Sequence, residues 1–162
     1  MSDQNKILVA CDLSKYAIEA LQVGAKLAKD LNAELLAVNV INQRDISAME
    51  TALKKIKTEI DNFPVTIGGY VEGLKSERKR ALQKIVDKAV GNQIEYRAVI
   101  GTGVPFKRLI EVANAEKPRI IVMGTKGRTN LADVILGSTA EKMFRHCPYP
   151  LLSVRIGEML NE

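Results

Sequence analysis

Three glycines in the last third of the chain have a spacing that could hold an anion. They form the pattern G-x2-G-x9-G-S/T, which runs from Gly124 through Gly127 to Gly137 and Ser138. Glycine has no Cβ, so the backbone at these positions can approach a bound group closely. The last glycine precedes a predicted helix, whose first N–H groups and dipole favour a negative group such as phosphate. The pattern therefore predicts a phosphate-binding loop, as a nucleotide site requires.

The elements around this loop predict an α/β fold with an open five-stranded parallel sheet and helices on both faces, a Rossmann-like arrangement. In such a sheet, ligands bind outside the carboxyl ends of the strands, which is where the glycine loop follows the fourth strand. The helices are predicted at about Lys15–Leu31, after Pro105 and at Ser138–His146. The apolar runs predicted as strands are Lys6–Ala10, Glu34–Val40, Glu95–Ile100, Arg119–Met123 and Pro150–Arg155.

The segment from Asp45 to Gly91 interrupts this alternation. It carries two apolar stripes at helical spacing, separated by Asn62–Gly69, which cannot be helical throughout because it contains a proline and two adjacent glycines. We therefore expect a helical hairpin inserted between strands two and three. It is too short to be a separate domain, so residues 1–162 are predicted to form one domain. The stripes consist of Ile46, Met49, Leu53, Ile56 and Ile60, and of Leu74, Leu82, Ile85, Val86 and Ala89.

Composition limits the classes of function. The chain has 162 residues, 46% of them hydrophobic, and a net charge of +5, which is too weak to indicate a nucleic-acid-binding protein. Aromatic residues make up only 4% and tryptophan is absent, so base-stacking platforms are not expected. No apolar run approaches the roughly 20 residues of a membrane helix, and the first one is too short for a signal peptide. Two cysteines, Cys11 and Cys147, give no disulfide framework, so we expect a cytoplasmic protein.

Several catalytic signatures are missing from the sequence. There is no G-x4-G-K-S/T loop and no His-x-Gly-His motif, and no Ser/His/Asp or Cys/His set is suggested. His146 is the only histidine, and its position near a helix end is more typical of an interaction with the helix dipole than of catalysis. The third strand ends in Gly101-Thr-Gly103 rather than in the aspartate that a receiver domain would need.

Four stretches of the chain resemble the universal stress protein family. They are Ile7–Ser14, the Gly101-x-Gly-x-Pro105 motif, the glycine loop with its flanks from Ile121 to Glu141, and the tail Arg145–Arg155. The family has members that bind ATP and members that do not, and the complete glycine pattern resembles the ATP-binding branch. The resemblance implies an adenine-nucleotide α-hydrolase-like fold. It also implies a homodimer in which the last strands, Pro150–Arg155, pair across a two-fold axis.

The resemblance also implies a role for individual residues in binding ATP and Mg²⁺. Asp12 and Val40 would lie at the nucleoside, with Val40 offering backbone groups to adenine. Mg²⁺ would bridge phosphate oxygens, with Asp12 as a further oxygen ligand. The remaining expected contacts are Ala10 and Cys11 beside Asp12, Met123 and Gly124 beneath the ribose, Gly127 behind the first phosphates, Gly137, Ser138 and Thr139 at the β- and γ-phosphates, and Lys126 and Arg128 neutralising charge.

Some of these residues also have purely structural interpretations. Ser138 and Glu141 form a possible capping box, which would occur at a helix start without any ligand. Asp12 could simply form an Asx turn ahead of the first helix. The basic residues that alternate with the second apolar stripe are typical of a solvated helix face rather than of a nucleic-acid or membrane patch. They are Lys75, Arg78, Lys79, Arg80, Lys84 and Lys88.

These observations favour an ATP-binding stress-response regulatory protein in which the bound nucleotide sets conformation or partner choice. No residue is evident that would activate water, so no dedicated catalytic activity is expected, and at most slow ATP hydrolysis. One alternative is an interaction module without nucleotide that docks a protein partner through the 45–91 hairpin, where Val65, Ile67 and Tyr70 look exposed. A third hypothesis is an ATP-consuming enzyme that acts on an acceptor molecule.

Overall fold

A five-stranded parallel sheet forms the centre of the protein, as predicted. The computed structural model describes residues 5–125 and 136–155. The strand order is β3-β2-β1-β4-β5, and each neighbouring pair is parallel. Because both faces of the sheet are covered, its strands are nearly continuous apolar runs. The strands are β1 (Lys6–Ala10), β2 (Glu34–Asn42), β3 (Tyr96–Gly103), β4 (Ile120–Gly124) and β5 (Leu151–Val154).

Five α-helices accompany this sheet in the described part of the chain. The last of them begins and ends at the predicted residues, whereas β2 and β3 run further towards their carboxyl ends than the apolar pattern indicated. β2 extends to Asn42, whose side-chain oxygen then accepts a hydrogen bond from the Arg44 N–H and caps the next helix. The helices are α1 (Ala17–Asp30), α2 (Gln43–Glu59), α3 (Ile67–Val90), α4 (Pro105–Glu116) and α5 (Ser138–His146).

Two hydrophobic cores lie on opposite faces of the sheet. Successive residues of a strand point to opposite faces, so Ile7 and Val9 of β1 belong to one core and Leu8 to the other. The first core packs against α1 and α3, and the second against α4 and α5. The prediction of helices on both faces is therefore confirmed.

The segment between β2 and β3 contains two helices, as expected, but the second one is part of the fold's core. The last turns of α3 bury Leu82, Val86 and Val90 against α1 and the sheet. By contrast, α2 buries only Ile46 and Leu53. Half of the predicted insertion is therefore the helix that covers β2 and β3. The periodicity identified the apolar stripe but could not indicate what it packs against. No helix of the described ranges is long and apolar enough to span a membrane.

Ion pairs close the amino edge of the sheet. The Arg97 guanidinium donates to both oxygens of Glu116 at 2.7 Å, and its Nε donates to Glu34 at 3.0 Å. Lys6 Nζ donates to the same Glu116 carboxylate at 2.9 Å. The hydrogen bonds from Arg97 and then Lys6 lower the pKa of Glu116 to about 2. These contacts link β1, β2, β3 and α4 at the edge opposite the carboxyl ends of the strands.

Candidate functional site

A cavity of about 370 Å³ opens at the carboxyl edge of the sheet. β1 pairs with β2 on one side and with β4 on the other, so the chain changes direction across the sheet between β1 and β4. Such a switch point is where open parallel sheets bind ligands, and the volume is in the range of small-molecule sites. Every predicted site residue that the structure describes lines this cavity: Ala10, Cys11, Asp12, Val40, Met123, Gly124, Gly137, Ser138 and Thr139. Lys126, Gly127 and Arg128 lie outside the described residues.

One end of the cavity is the amino terminus of α5. The Gly137 N–H donates to the Thr125 carbonyl at 2.7 Å, which fixes the start of α5 beside the end of β4. Gly137 is the N-cap residue, and no side chain within residues 5–125 and 136–155 caps the helix. The N–H groups of Ser138 and Thr139 therefore have no acceptor within the helix. Their position on the cavity wall allows them to receive an anion.

The capping-box interpretation of Ser138 and Glu141 is wrong. Ser138 is the first helical residue rather than the N-cap, so its side chain is not placed to accept from the third residue of the helix. The Glu141 carboxylate instead pairs with Arg145 at 2.9 Å. Gly137 has φ −66° and ψ 156°, a conformation that any residue adopts. Its backbone conformation therefore does not require glycine. A reason that remains for the missing side chain is that it would occupy space at the cavity wall.

Asp12 forms the Asx turn that was considered as its structural role, and it lines the cavity as well. Its Oδ1 accepts from the Ser14 N–H at 3.0 Å and from the Ser14 hydroxyl at 2.6 Å. Leu13 between them has φ 64°, a left-handed conformation that is uncommon for leucine. The turn holds this strained backbone, and it fixes the orientation of the Asp12 carboxylate at the end of β1.

Asn39 is a buried polar residue that follows Val38 near the predicted end of strand two, at the ligand-binding edge, but it was not among the predicted site residues. Its side chain is only 3% exposed, and its Nδ2 donates to the Cys11 carbonyl at 2.8 Å. The Cys11 N–H donates to the Val38 carbonyl, also at 2.8 Å, so two bonds hold the end of β1 against β2. The Asn39 Oδ1 has no hydrogen-bond partner within residues 5–125 and 136–155. A polar residue within the apolar run of β2 was the available signal.

Known proteins are similar to this chain in both sequence and fold. Residues 4–155 match the model of the universal stress protein family. The chain belongs to this family. It is 30% identical over 150 residues to the universal stress protein MJ0531 of Methanocaldococcus jannaschii. This alignment covers 93% of this chain and 81% of that protein.

Two solved structures illustrate the shared architecture of this universal stress protein. Protein MJ0577 of Methanocaldococcus jannaschii superimposes with a TM-score of 0.69 and 25% identity, over 97% of this chain and 99% of that one. The universal stress protein from Archaeoglobus fulgidus in complex with dAMP has a TM-score of 0.56 and 16% identity, over 94% of this chain and 98% of that one. At this identity the second comparison shows the fold alone.

Further residues of this universal stress protein line the cavity without having been predicted. Asn42, Arg44 and Asp45 come from the junction of β2 and α2. Of these, the sequence analysis placed Asp45 in the inserted hairpin and gave Asn42 and Arg44 no role. Because β2 continues directly into α2, the first turn of that helix is part of the cavity wall. The other unpredicted lining residues are Tyr16, Ala17, Val38, Asn39, Pro105, Leu109, Thr125 and Ala140.

Cys11 contributes a neutral side chain to the cavity. Burial raises the pKa of its thiol to about 11, a hydrogen bond with the Leu13 backbone opposes this shift, and the charge of Asp12 adds to it. The thiolate is the nucleophilic form of cysteine, so at neutral pH Cys11 is a small apolar residue at this site. The chemistry available in the described cavity is anion binding by backbone N–H groups and hydroxyls, beside the oriented carboxylate of Asp12, with Arg44 and Asp45 as further charged residues on the wall.

Proposed function

We propose that this universal stress protein binds ATP together with Mg²⁺ in the cavity at the carboxyl edge, and that the bound nucleotide sets its conformation or its choice of partner. One observation carries the proposal: all described residues expected to hold the nucleotide line one cavity, which ends at the uncapped amino terminus of α5. The Archaeoglobus fulgidus structure with dAMP supports the capacity of this fold to hold an adenine nucleotide.

The phosphates would lie against the start of α5. The N–H groups and hydroxyls of Ser138 and Thr139 supply donors for the β- and γ-phosphates, and the helix dipole adds to the attraction. Met123 and Gly124, at the end of β4, would lie beneath the ribose. Val40, two residues before the end of β2, would present its backbone to adenine.

Asp12 is the residue of this cavity that would hold Mg²⁺. A carboxylate oxygen suits this hard cation, which is usually bound by one or two carboxylates together with phosphate oxygens and water. Among the described residues no group of three or more His, Cys, Asp or Glu side chains could hold a metal ion. This pattern fits a cation that arrives with the nucleotide and takes most of its ligands from it.

Slow hydrolysis is the most that the described lining supports. The carboxylates on the cavity wall are Asp12 and Asp45. Asp12 is held by Ser14 in the Asx turn and is assigned to Mg²⁺, and Asp45 lies in the first turn of α2, away from the phosphate end. Positioning of the phosphates and the cation alone gives some rate. We therefore propose a nucleotide-binding regulator rather than a dedicated enzyme.

Calorimetric titration of Mg-ATP into nucleotide-stripped protein tests the proposal, with GTP as the comparison. We expect a dissociation constant on the order of micromolar or tighter for ATP, as the sum of several charge-assisted hydrogen bonds permits, and weaker binding of GTP. Gly137→Val should abolish binding, because the side chain would occupy the cavity wall. Gly68→Val is the matched control, since a Cβ at Gly68 meets nothing within 4 Å. Absence of heat at millimolar ATP would contradict the proposal.

Docking through the α2–α3 pair is the second candidate function. Ile60 is 53% exposed and Val65 38% exposed near the connection between these helices, whereas Ile67 and Tyr70 are half-buried. Deleting the whole segment would remove the buried half of α3, so the sharper test is the double substitution Ile60→Ser and Val65→Ser. This variant should keep the fold and lose capture of the protein partner. Undiminished capture would exclude the connection as the docking surface.

We also propose a homodimer that forms through β5. This strand pairs with β4 along one edge, and among the described strands none pairs with its other edge. Leu152 on this strand is 38% exposed, and an unpaired apolar edge is prone to associate with another strand. Pairing with its symmetry mate would cover it. Leu152→Lys should lower the association constant in sedimentation experiments, and a concentration-independent monomer for the unmodified protein would exclude the dimer.

A further inference from the structure

The cavity has two chemically different ends, because its walls come from strands on either side of β1. The amino terminus of α5 lies beside the end of β4, where the Gly137 N–H bonds to the Thr125 carbonyl. The amino terminus of α2 follows directly from β2, on the other side of β1. Two strand spacings, about 10 Å, separate these strands. A ligand anchored by its phosphates at α5 therefore extends its other end towards α2.

The end beside α2 has the lining that a flat apolar group requires. Val38 and Val40 of β2 form one side, and Pro105 and Leu109 of α4 form another. Apolar walls with a few polar groups are typical of sites that bury the ring system of a ligand. This end differs from the α5 end, where hydroxyls and helix N–H groups line the wall.

Arg44 is the basic side chain that the described residues contribute to the cavity lining. It is exposed, and within the described ranges its guanidinium makes no ion pair. Its backbone is fixed by the hydrogen bond from its N–H to the Asn42 side chain at 3.1 Å. Asp45 beside it also lines the cavity. A planar cation is thus held on a fixed backbone at the rim of the apolar end.

We propose that Arg44 covers the outer face of the nucleobase by stacking its guanidinium plane on the ring. This inference rests on the proposed function and extends it, since it assigns a base-covering residue outside the glycine motif. Guanidinium groups stack on aromatic faces and combine dispersion with a cation–π attraction. Because Arg44 lies in the first turn of α2, the contact also joins the nucleotide to the helix that is least buried in the core.

Stacking and phosphate binding by Arg44 make different predictions. A stacking contact is equal for adenosine, AMP and ATP, because the base is the same in all three. It requires the plane of the guanidinium, so a lysine does not replace it well. A phosphate contact instead grows with the number of phosphates and is largely kept by a lysine.

The experiment compares the dissociation constants of adenosine, AMP and Mg-ATP for the unmodified protein, Arg44→Gln and Arg44→Lys. Lys57→Gln is the control, because it removes a cation from the last turn of the same helix. The stability of α2 is little affected by either change at position 44, since the cap uses the backbone N–H. We expect both variants at position 44 to bind all three ligands about two- to five-fold more weakly, and the control to be unchanged.

Two outcomes overturn the inference while leaving the proposed function standing. One is unchanged affinity in Arg44→Gln. The other is a loss that increases from adenosine to ATP and is restored by Arg44→Lys, which would make Arg44 a phosphate ligand. If the unmodified protein binds none of the three ligands, the proposed function fails, and the inference fails with it.

Discussion

Replacing Gly137 by serine should strengthen the fold and weaken nucleotide binding at the same time. Gly137 is the N-cap of α5, with φ −66° and ψ 156° and no side-chain cap. Serine adopts this conformation without strain and is a better N-cap than glycine by a few tenths of a kcal/mol. A glycine replaced at a compatible position also restricts the unfolded chain, which contributes about 0.4–1 kcal/mol. We therefore expect a gain of about 1 kcal/mol, or roughly 2–4 °C in melting temperature.

The same substitution should weaken ATP binding because the new hydroxyl takes a donor from the ligand. An N-cap serine accepts from the second or third N–H of the helix, and these groups belong to Thr139 and Ala140 on the cavity wall. A hydrogen bond to a charged group contributes about 1.5–3 kcal/mol. The dissociation constant of Mg-ATP should therefore rise by about ten- to a hundredfold.

Chemical denaturation and calorimetry on the same samples measure both effects. Val104→Ser is the control, because Val104 is the N-cap of α4, also lacks a side-chain cap and does not line the cavity. It should raise stability and leave affinity unchanged. An unaltered affinity in Gly137→Ser would show that the start of α5 does not hold the phosphates. A loss of stability would contradict the assignment of Gly137 as an unstrained, uncapped N-cap.

Three other experiments test the packing and electrostatics. Gly24→Ala should destabilise the protein by about 1–3 kcal/mol because its Cβ would collide with Val9 Cγ2, whereas Gly73→Ala, which meets nothing within 4 Å, should stabilise it by about 1 kcal/mol; urea titrations compare them. The pKa of Glu116 is about 2 in the fold and 4.5 in the unfolded chain, so its contribution is present above pH 4.5 and is lost as the pH falls towards 2. Glu116→Gln should therefore cost about 1–2 kcal/mol at pH 7, after allowance for solvent around Arg97, and less at pH 3, where part of the contribution has been lost. Equal losses at both pH values would contradict this. Iodoacetamide at pH 8 should modify the half-buried Cys147 before Cys11, because burial raises the pKa of the Cys11 thiol to about 11. Mass spectrometry of the two cysteine-containing peptides measures the order, and faster modification of Cys11 would contradict this prediction.

The sequence predicted the centre of the sheet well because the middle residues of β1, β2 and β4 are buried on both faces. A run such as Ile7–Val9 is apolar throughout, and this pattern is distinct from the helical period of the segments between the runs. The ends of β2 and β3 were less predictable. Asn42 belongs to β2 and at the same time caps α2 through its side-chain oxygen. Asparagine is a preferred N-cap, but the residue type does not show that the strand continues up to it.

The candidate site was predicted where its residues form a motif and missed where only packing brings them together. Asp12 and Gly137 lie far apart in sequence, but the glycine pattern and the family resemblance connected them. Arg44 belongs to no sequence motif, and a charged residue at the start of a helix is usually solvated. Its place on the cavity wall depends on β2 running into α2 without a loop.

The two edges of the sheet differ in how completely their polar groups are satisfied, and this difference argues for a ligand at one of them. At the amino edge, Arg97 and Glu116 form a bidentate ion pair. Lys6 also donates to Glu116, and Arg97 also donates to Glu34. At the carboxyl edge, the Asn39 Oδ1 is buried without a partner among the described residues, and α5 begins at a glycine that offers no side-chain cap. Unsatisfied polar groups persist where function requires them. Both of these features lie at the edge of the sheet that holds the cavity.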